Sequence, residues 1–203
     1  MRIFPFLLLL NFNIAFAQQY ERLDIQPVKQ LNEIGQFRYI LYYEVEDLCF
    51  YIGMDMTDEN SERSGLRLRV YDSQMNLKFE SPGQLDSYTY NPTFFKNQDL
   101  IPHTILLVHK SNEGSWGQDV YIIVDDQIKN IGSLEVSTWA EEPEWYSDIA
   151  PFTEIKKSKE AIIFSFKTSK IVMNPLGPEE KLMNGNDLRY EYRDGKLQPL
   201  NNS

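Results

Sequence analysis

Two short runs, Ile105-Leu106-Leu107-Val108 and Val120-Tyr121-Ile122-Ile123-Val124, are apolar or aromatic at every position. Successive side chains of a strand point to opposite faces, so such runs predict strands covered on both sides. They are expected at the centre of the fold, with the core running through them.

Around them the chain alternates. Phe37, Tyr39, Leu41, Tyr43 and Val45 are apolar or aromatic, while the even positions include Arg38, Glu44 and Glu46, a period of two that buries one face. Leu66, Leu68 and Val70 alternate with Arg67 and Arg69, and after Asp72-Ser73-Gln74 the pattern resumes with Leu77 and Phe79, as in an antiparallel hairpin. Asp125-Asp126-Gln127 offers a turn into residues 128–131, and Leu134-Glu135-Val136 reads as another short strand. Ile162, Phe164 and Phe166 share one face, followed after a polar break by a strand at 171–173. Near the C-terminus Asp194-Gly195 separates two strand-like runs; a two-residue turn there sets Tyr192 opposite Leu197, Glu191 opposite Gln198 and Tyr190 opposite Pro199. Pro199 cannot donate to a ladder, so the last strand is expected at an edge. Short helical turns are expected only at 177–185, where Pro178 and two acids precede Asn184-Gly185, and at 144–149. The pattern predicts a mainly β, single-domain antiparallel β-sandwich or curled barrel-like sheet with at most one or two short helices. A membrane barrel would need at least about eight alternating segments of some ten residues, more than this chain offers.

The first seventeen residues read as a secretory signal peptide: Arg2, an apolar run from Ile3 to Leu10, and Ala15-Phe16-Ala17 before Gln18. The apolar run is shorter than the roughly 20 residues of a membrane-spanning helix, so no stable membrane insertion is expected once it is removed. The implied organisation is a signal peptide at 1–17, an N-terminal extended segment at 18–32 and one β-rich domain at 33–203, exported to the periplasm or the extracellular space. Cys49 is the single cysteine, which rules out an internal disulfide. Its apolar and aromatic neighbours Leu48, Phe50 and Tyr51 argue for a buried, unreactive thiol. The formal charge is −10. Nucleic-acid affinity comes from neutralising phosphates with Lys and Arg, so an acidic chain points away from nucleic acid and towards a basic protein partner.

Catalytic motifs are scarce. The sequence has no Gly-x-Ser-x-Gly, phosphate loop, His-Glu-x-x-His or Cys-x-x-Cys. His103 and His109 are six residues apart, about 20 Å along a strand, too far to share a metal. His109 is in phase with Ile105 and Leu107 and reads as a hydrogen-bonded histidine at a strand end. Asp55, Asp58, Glu59, Asn60 and Glu62 offer oxygen ligands, but without the spacing or the glycine of an EF-hand loop, so no metal or other cofactor is assigned.

Two stretches suit ligand binding. Residues 139–148 mix Trp139, Trp145 and Tyr146 with Glu142, Glu144 and Asp148. The stretch 111–117 reads as a long loop with Trp116 near its tip, flanked by glycines. Trp116, Trp139, Glu142, Glu144, Trp145 and Tyr146 are therefore the candidate ligand contacts. The expected function is non-catalytic binding of a protein or glycan. The alternative is a glycan-directed hydrolase using Glu142, Glu144 or Asp148, since two carboxylates about 5 to 10 Å apart can supply acid and base or nucleophile.

Overall fold

The computed structural model describes residues 18–55, 64–141, 144–158 and 160–201. The expected signal peptide lies outside them. Mainly β structure is confirmed: the described residues form antiparallel sheets that do not close into a barrel, and two 3-10 turns are the only helical elements among them.

Three strands open the described chain, β1 (Gln18–Gln19), β2 (Glu21–Arg22) and β3 (Val28–Ile34), and each joins a different sheet. The N-terminal sheet continues from β3 through β4 (Phe37–Val45), β5 (Leu48–Asp55), β6 (Arg67–Asp72) and β7 (Leu77–Glu80). The central sheet contains β8 (Thr89–Lys96), β9 (Thr104–Ser111), β10 (Ser115–Val124) and β11 (Gln127–Leu134), with β2 at the β8 edge. The type I′-like turn at Asp125 and Asp126, with φ of 48° and 61°, makes the expected β10–β11 hairpin.

The double-sided runs behave as their composition demands. Leu106, Val108 and Tyr121 pack with Phe50, Leu68 and Val70 of the N-terminal sheet. Ile105, Leu107, Val120 and Ile122 pack on the opposite face with residues of the remaining two sheets. The central sheet is thus the middle layer.

Those two sheets comprise β12 (Val136–Glu141), β13 (Glu144–Ser147), β14 (Thr153–Lys157), β15 (Ile162–Phe166), β16 (Ile171–Met173), β17 (Lys181–Met183), β18 (Leu188–Arg193) and β19 (Lys196–Asn201). A four-stranded sheet has the order β13-β12-β16-β17, and the C-terminal sheet the order β1-β14-β15-β18-β19. Ile162, Phe164 and Phe166 face the core together. The last hairpin has the predicted pairs Tyr192 with Leu197, Glu191 with Gln198 and Tyr190 with Pro199, and β19 is the sheet edge.

Five expectations change. A bulge at Ile40 inverts the phase of β4, because Tyr39 pairs with Gly53 while Leu41 pairs with Ile52. Phe37 and Tyr39 therefore join Tyr51 and Tyr71 in a separate aromatic cluster, while Tyr43 and Val45 enter the main core. Leu134-Glu135-Val136 is not one strand; the chain leaves the central sheet at Glu135 and enters the four-stranded one. The 177–185 stretch contains a turn and strand β17, and the 3-10 turn follows at Gly185–Asp187, its start capped by the Asn184 side chain accepting from Asn186 N. Residues 144–147 are strand β13, and the 3-10 turn comes later, at Ala150–Phe152. Cys49 is half-buried, and burial first, then the Glu44 charge, raises its thiol pKa.

Candidate ligand cleft

The β9–β10 connection is tighter than its sequence suggests. Strand β10 begins at Ser115, which pairs with Ser111, and Gly117 then pairs with Lys110, leaving Trp116 as an extra residue in a bulge. A bulge takes its residue out of the ladder and re-aims its side chain. Trp116 therefore sits within a strand and not at a loop tip. Gly117 makes this possible: its φ is +107°, and a Cβ would lie 2.2 Å from the Leu134 carbonyl oxygen.

The half-buried Trp116 lines a cleft of about 360 Å³ together with Glu135, Asn174, Pro175, Gly177 and Glu179. Glu135 comes from the crossover between sheets; the others come from the β16–β17 loop. That loop is held in an uncommon shape. Asn174 and Leu176 have φ of 51° and 64°, the latter unusual for a γ-branched residue. Asn174 N donates to the Glu135 carbonyl at 2.9 Å, and Gly177 N donates to the Asn174 carbonyl at 2.9 Å. Glu180 clamps the far side: one carboxylate oxygen accepts from Leu176 N at 2.8 Å, the other from the Tyr146 hydroxyl at 2.9 Å. Accepting that proton's hydrogen bond, Glu180 raises the Tyr146 pKa, with smaller contributions from desolvation and from the Glu180 charge.

Tyr146 is the hinge of the arrangement. It pairs across β12–β13 with Trp139, their rings edge to face at 5.1 Å. On its other side it lies against Gly114, where a Cβ would stand 3.1 Å from its ring and 3.5 Å from Leu176. Trp139, Tyr146 and Trp116 are thus joined through the 174–180 loop. Trp145 is not: it pairs with Ala140, one residue out of phase, on the opposite face and 48% exposed. Glu144 starts β13 opposite Glu141, while Glu142 lies outside the described residues. Sequence reasoning missed Glu135, Asn174, Glu179 and Glu180. Their signal was the Asn174-Pro175-Leu176-Gly177-Pro178 stretch, whose turn-forming composition suits positive φ better than a helical turn.

Asp148 has a positioning role. Its Oδ1 accepts from Gln118 Nε2 and from Ala150 N, both at 2.8 Å, tying β10 to the end of β13. His109 pairs with Gln118 across β9–β10. The expected hydrogen bond of His109 is not seen: its Nε2 is buried without a partner among the described residues. Burial holds its pKa below the usual histidine value, and the Asp148 charge only partly opposes this.

Of the oxygen-rich stretch near residue 60, only Asp55 is described; it ion-pairs with Arg67 and Arg69. Among the described residues no group of three or more His, Cys, Asp or Glu side chains could hold a metal ion. No protein-family model, curated protein or solved structure matches the chain.

Proposed function

We propose that this protein is an exported, non-catalytic β-domain that binds a basic protein partner by taking a Lys or Arg side chain into the Trp116 cleft. The carrying observation is that one cleft is lined by a tryptophan, Trp116, together with two acidic residues, Glu135 and Glu179. A cation over a tryptophan face gains about 0.5–2 kcal/mol, and carboxylates add charge-assisted hydrogen bonds. The net charge of −10 speeds the approach of a basic partner. A volume near 360 Å³ is at the small end of ligand pockets, enough for one side chain or one ring. The two hydrogen bonds already accepted by Asp148 Oδ1 support binding over glycan hydrolysis.

A glycan is the second reading, because Trp116 with the Asn174 amide is also a platform for a sugar ring. One titration separates the two. Tryptophan fluorescence of the mature chain is followed with oligo-arginine and, separately, with neutral oligosaccharides. Salt-sensitive binding of the peptide, weakened about tenfold by Trp116→Ala and by Glu179→Gln, is expected. Saturation by the oligosaccharide alone transfers the cleft to a glycan, and no saturation by either refutes the binding role at this surface.

A further inference from the structure

The outward face of the C-terminal sheet carries a second cleft, of about 410 Å³, with the opposite electrostatic character. Lys156, Lys167 and Arg189 line it against a single acid, Glu154. This concentration of positive charge stands out on a chain whose formal charge is −10.

The strand registers place these groups. Glu154 on β14 pairs with Ser165 on β15, which pairs with Arg189 on β18, so the three form one row across the sheet. Strands are about 4.8 Å apart, which sets Arg189 roughly 10 Å from Glu154 with the serine hydroxyl between them. Lys156 lies in the next row along, opposite Ile163. Glu154 already serves both lysines, at 3.6 Å from Lys156 and 2.5 Å from Lys167. The Lys167 hydrogen bond is the main reason its carboxyl is held below the ordinary range.

Arg189 is left over. It is exposed and has no ion pair among the described residues. The nearest acid on its own strand, Glu191, is taken by Arg193 at 2.8 Å. One wall of the cleft is also fixed in shape. The Asn184-capped turn at Gly185–Asp187 sits so close to the β15–β16 connection that a Cβ on Gly185 would lie 2.4 Å from the Thr168 carbonyl oxygen.

We propose that this cleft binds a small anionic ligand through a carboxylate or phosphate group, with Arg189 as its forked donor and Lys156 and Lys167 as flanking charges. A planar guanidinium with no ion pair among the described residues fits either oxyanion in bidentate fashion, and two ammonium groups sharing one carboxylate leave positive charge for a ligand to neutralise. The site lies on a different sheet from the Trp116 cleft and does not depend on it.

Isothermal titration of the full chain at low salt tests the proposal, with inorganic phosphate in one arm, citrate in a second and glycerol as the neutral control. The variants are Arg189→Gln, the double variant Lys156→Gln/Lys167→Gln, and Lys129→Gln as an exposed cation on β11. Saturable binding of phosphate or citrate is expected, and the arm that saturates more tightly identifies the group. Affinity should fall about tenfold in Arg189→Gln and in the double variant, with thermal midpoints and Lys129→Gln unaffected. It should also fall in about 1 M salt, where the screening length is about 3 Å. Absence of saturation below about 10 mM for both anions, equal binding of glycerol, or an equal loss in Lys129→Gln overturns the proposal.

Discussion

Replacing Gly117 by alanine tests whether the bulge that presents Trp116 depends on a missing side chain. Two costs add. At φ +107° an alanine leaves its allowed regions, a strain of about 1–3 kcal/mol. Its Cβ would also stand 2.2 Å from the Leu134 carbonyl oxygen. That atom is backbone in a neighbouring strand, so β10 and β11 must separate, at about 1–3 kcal/mol more. The sum is about 2–6 kcal/mol, which at about 2–4 °C per kcal/mol lowers the thermal midpoint by roughly 10 °C in a chain of this size. Gly195→Ala is the internal control: its φ is +79°, but nothing lies within 4 Å of the added atom, so only a backbone cost of about 1–2 kcal/mol applies. Both variants are compared by thermal and urea unfolding, with tryptophan emission reporting on the Trp116 environment. If Gly117→Ala proves no less stable than Gly195→Ala, the close approach is not a constraint and the account of the bulge is wrong.

The buried hydroxyl of Tyr90 donates to Asp119 at 2.9 Å and meets the Tyr121 hydroxyl at 2.7 Å; Tyr90→Phe should cost about 1.5–3 kcal/mol, read as a lower urea midpoint with unchanged slope. A loss below about 0.5 kcal/mol would place this bond among ordinary surface contacts. For His109 the sign follows from burial: its folded pKa lies below the value in the unfolded chain, so the unfolded state takes up the extra proton and stability falls as pH drops through and below about 6.5. Thermal midpoints measured from about pH 8 to about 5 should therefore decline less steeply in His109→Gln than in the parent chain, and parallel curves would remove His109 as the cause.

Much of this architecture is legible because strands write their burial into the sequence. Continuous apolar runs at 105–108 and 120–124 mark a layer covered on both faces, and Asp194-Gly195 fixes a register to the residue. What escapes is phase. One inserted residue, Ile40, sends Phe37 and Tyr39 to the opposite side from Tyr43 and Val45, although all five odd positions from 37 to 45 are apolar or aromatic. The candidate site suffered likewise. Trp116 reads as a loop residue because its flanking glycines suggest a turn, whereas Gly117 serves a bulge. Trp139, Trp145 and Tyr146 are close in sequence, but strand parity pairs Trp139 with Tyr146 and sets Trp145 apart. Glu179 is distant in sequence from every tryptophan, and Glu135, although it is close to Trp139, meets Trp116 only because of the crossover between sheets; the 174–180 loop completes the cleft.

The opening segment has a consequence for the order in which the molecule can assemble. Tyr20 is buried, its backbone N donates to Ile155 and its hydroxyl to the Pro102 carbonyl, while the neighbouring Gln19 side chain reaches Glu154, 135 positions further on. Closing so long a loop is entropically slow. Residues 18–20 must wait for partners made more than 130 positions later, so the outer sheet edge locks late, and a nascent chain halted before residue 153 would hold β1 without the β14 strand it pairs with.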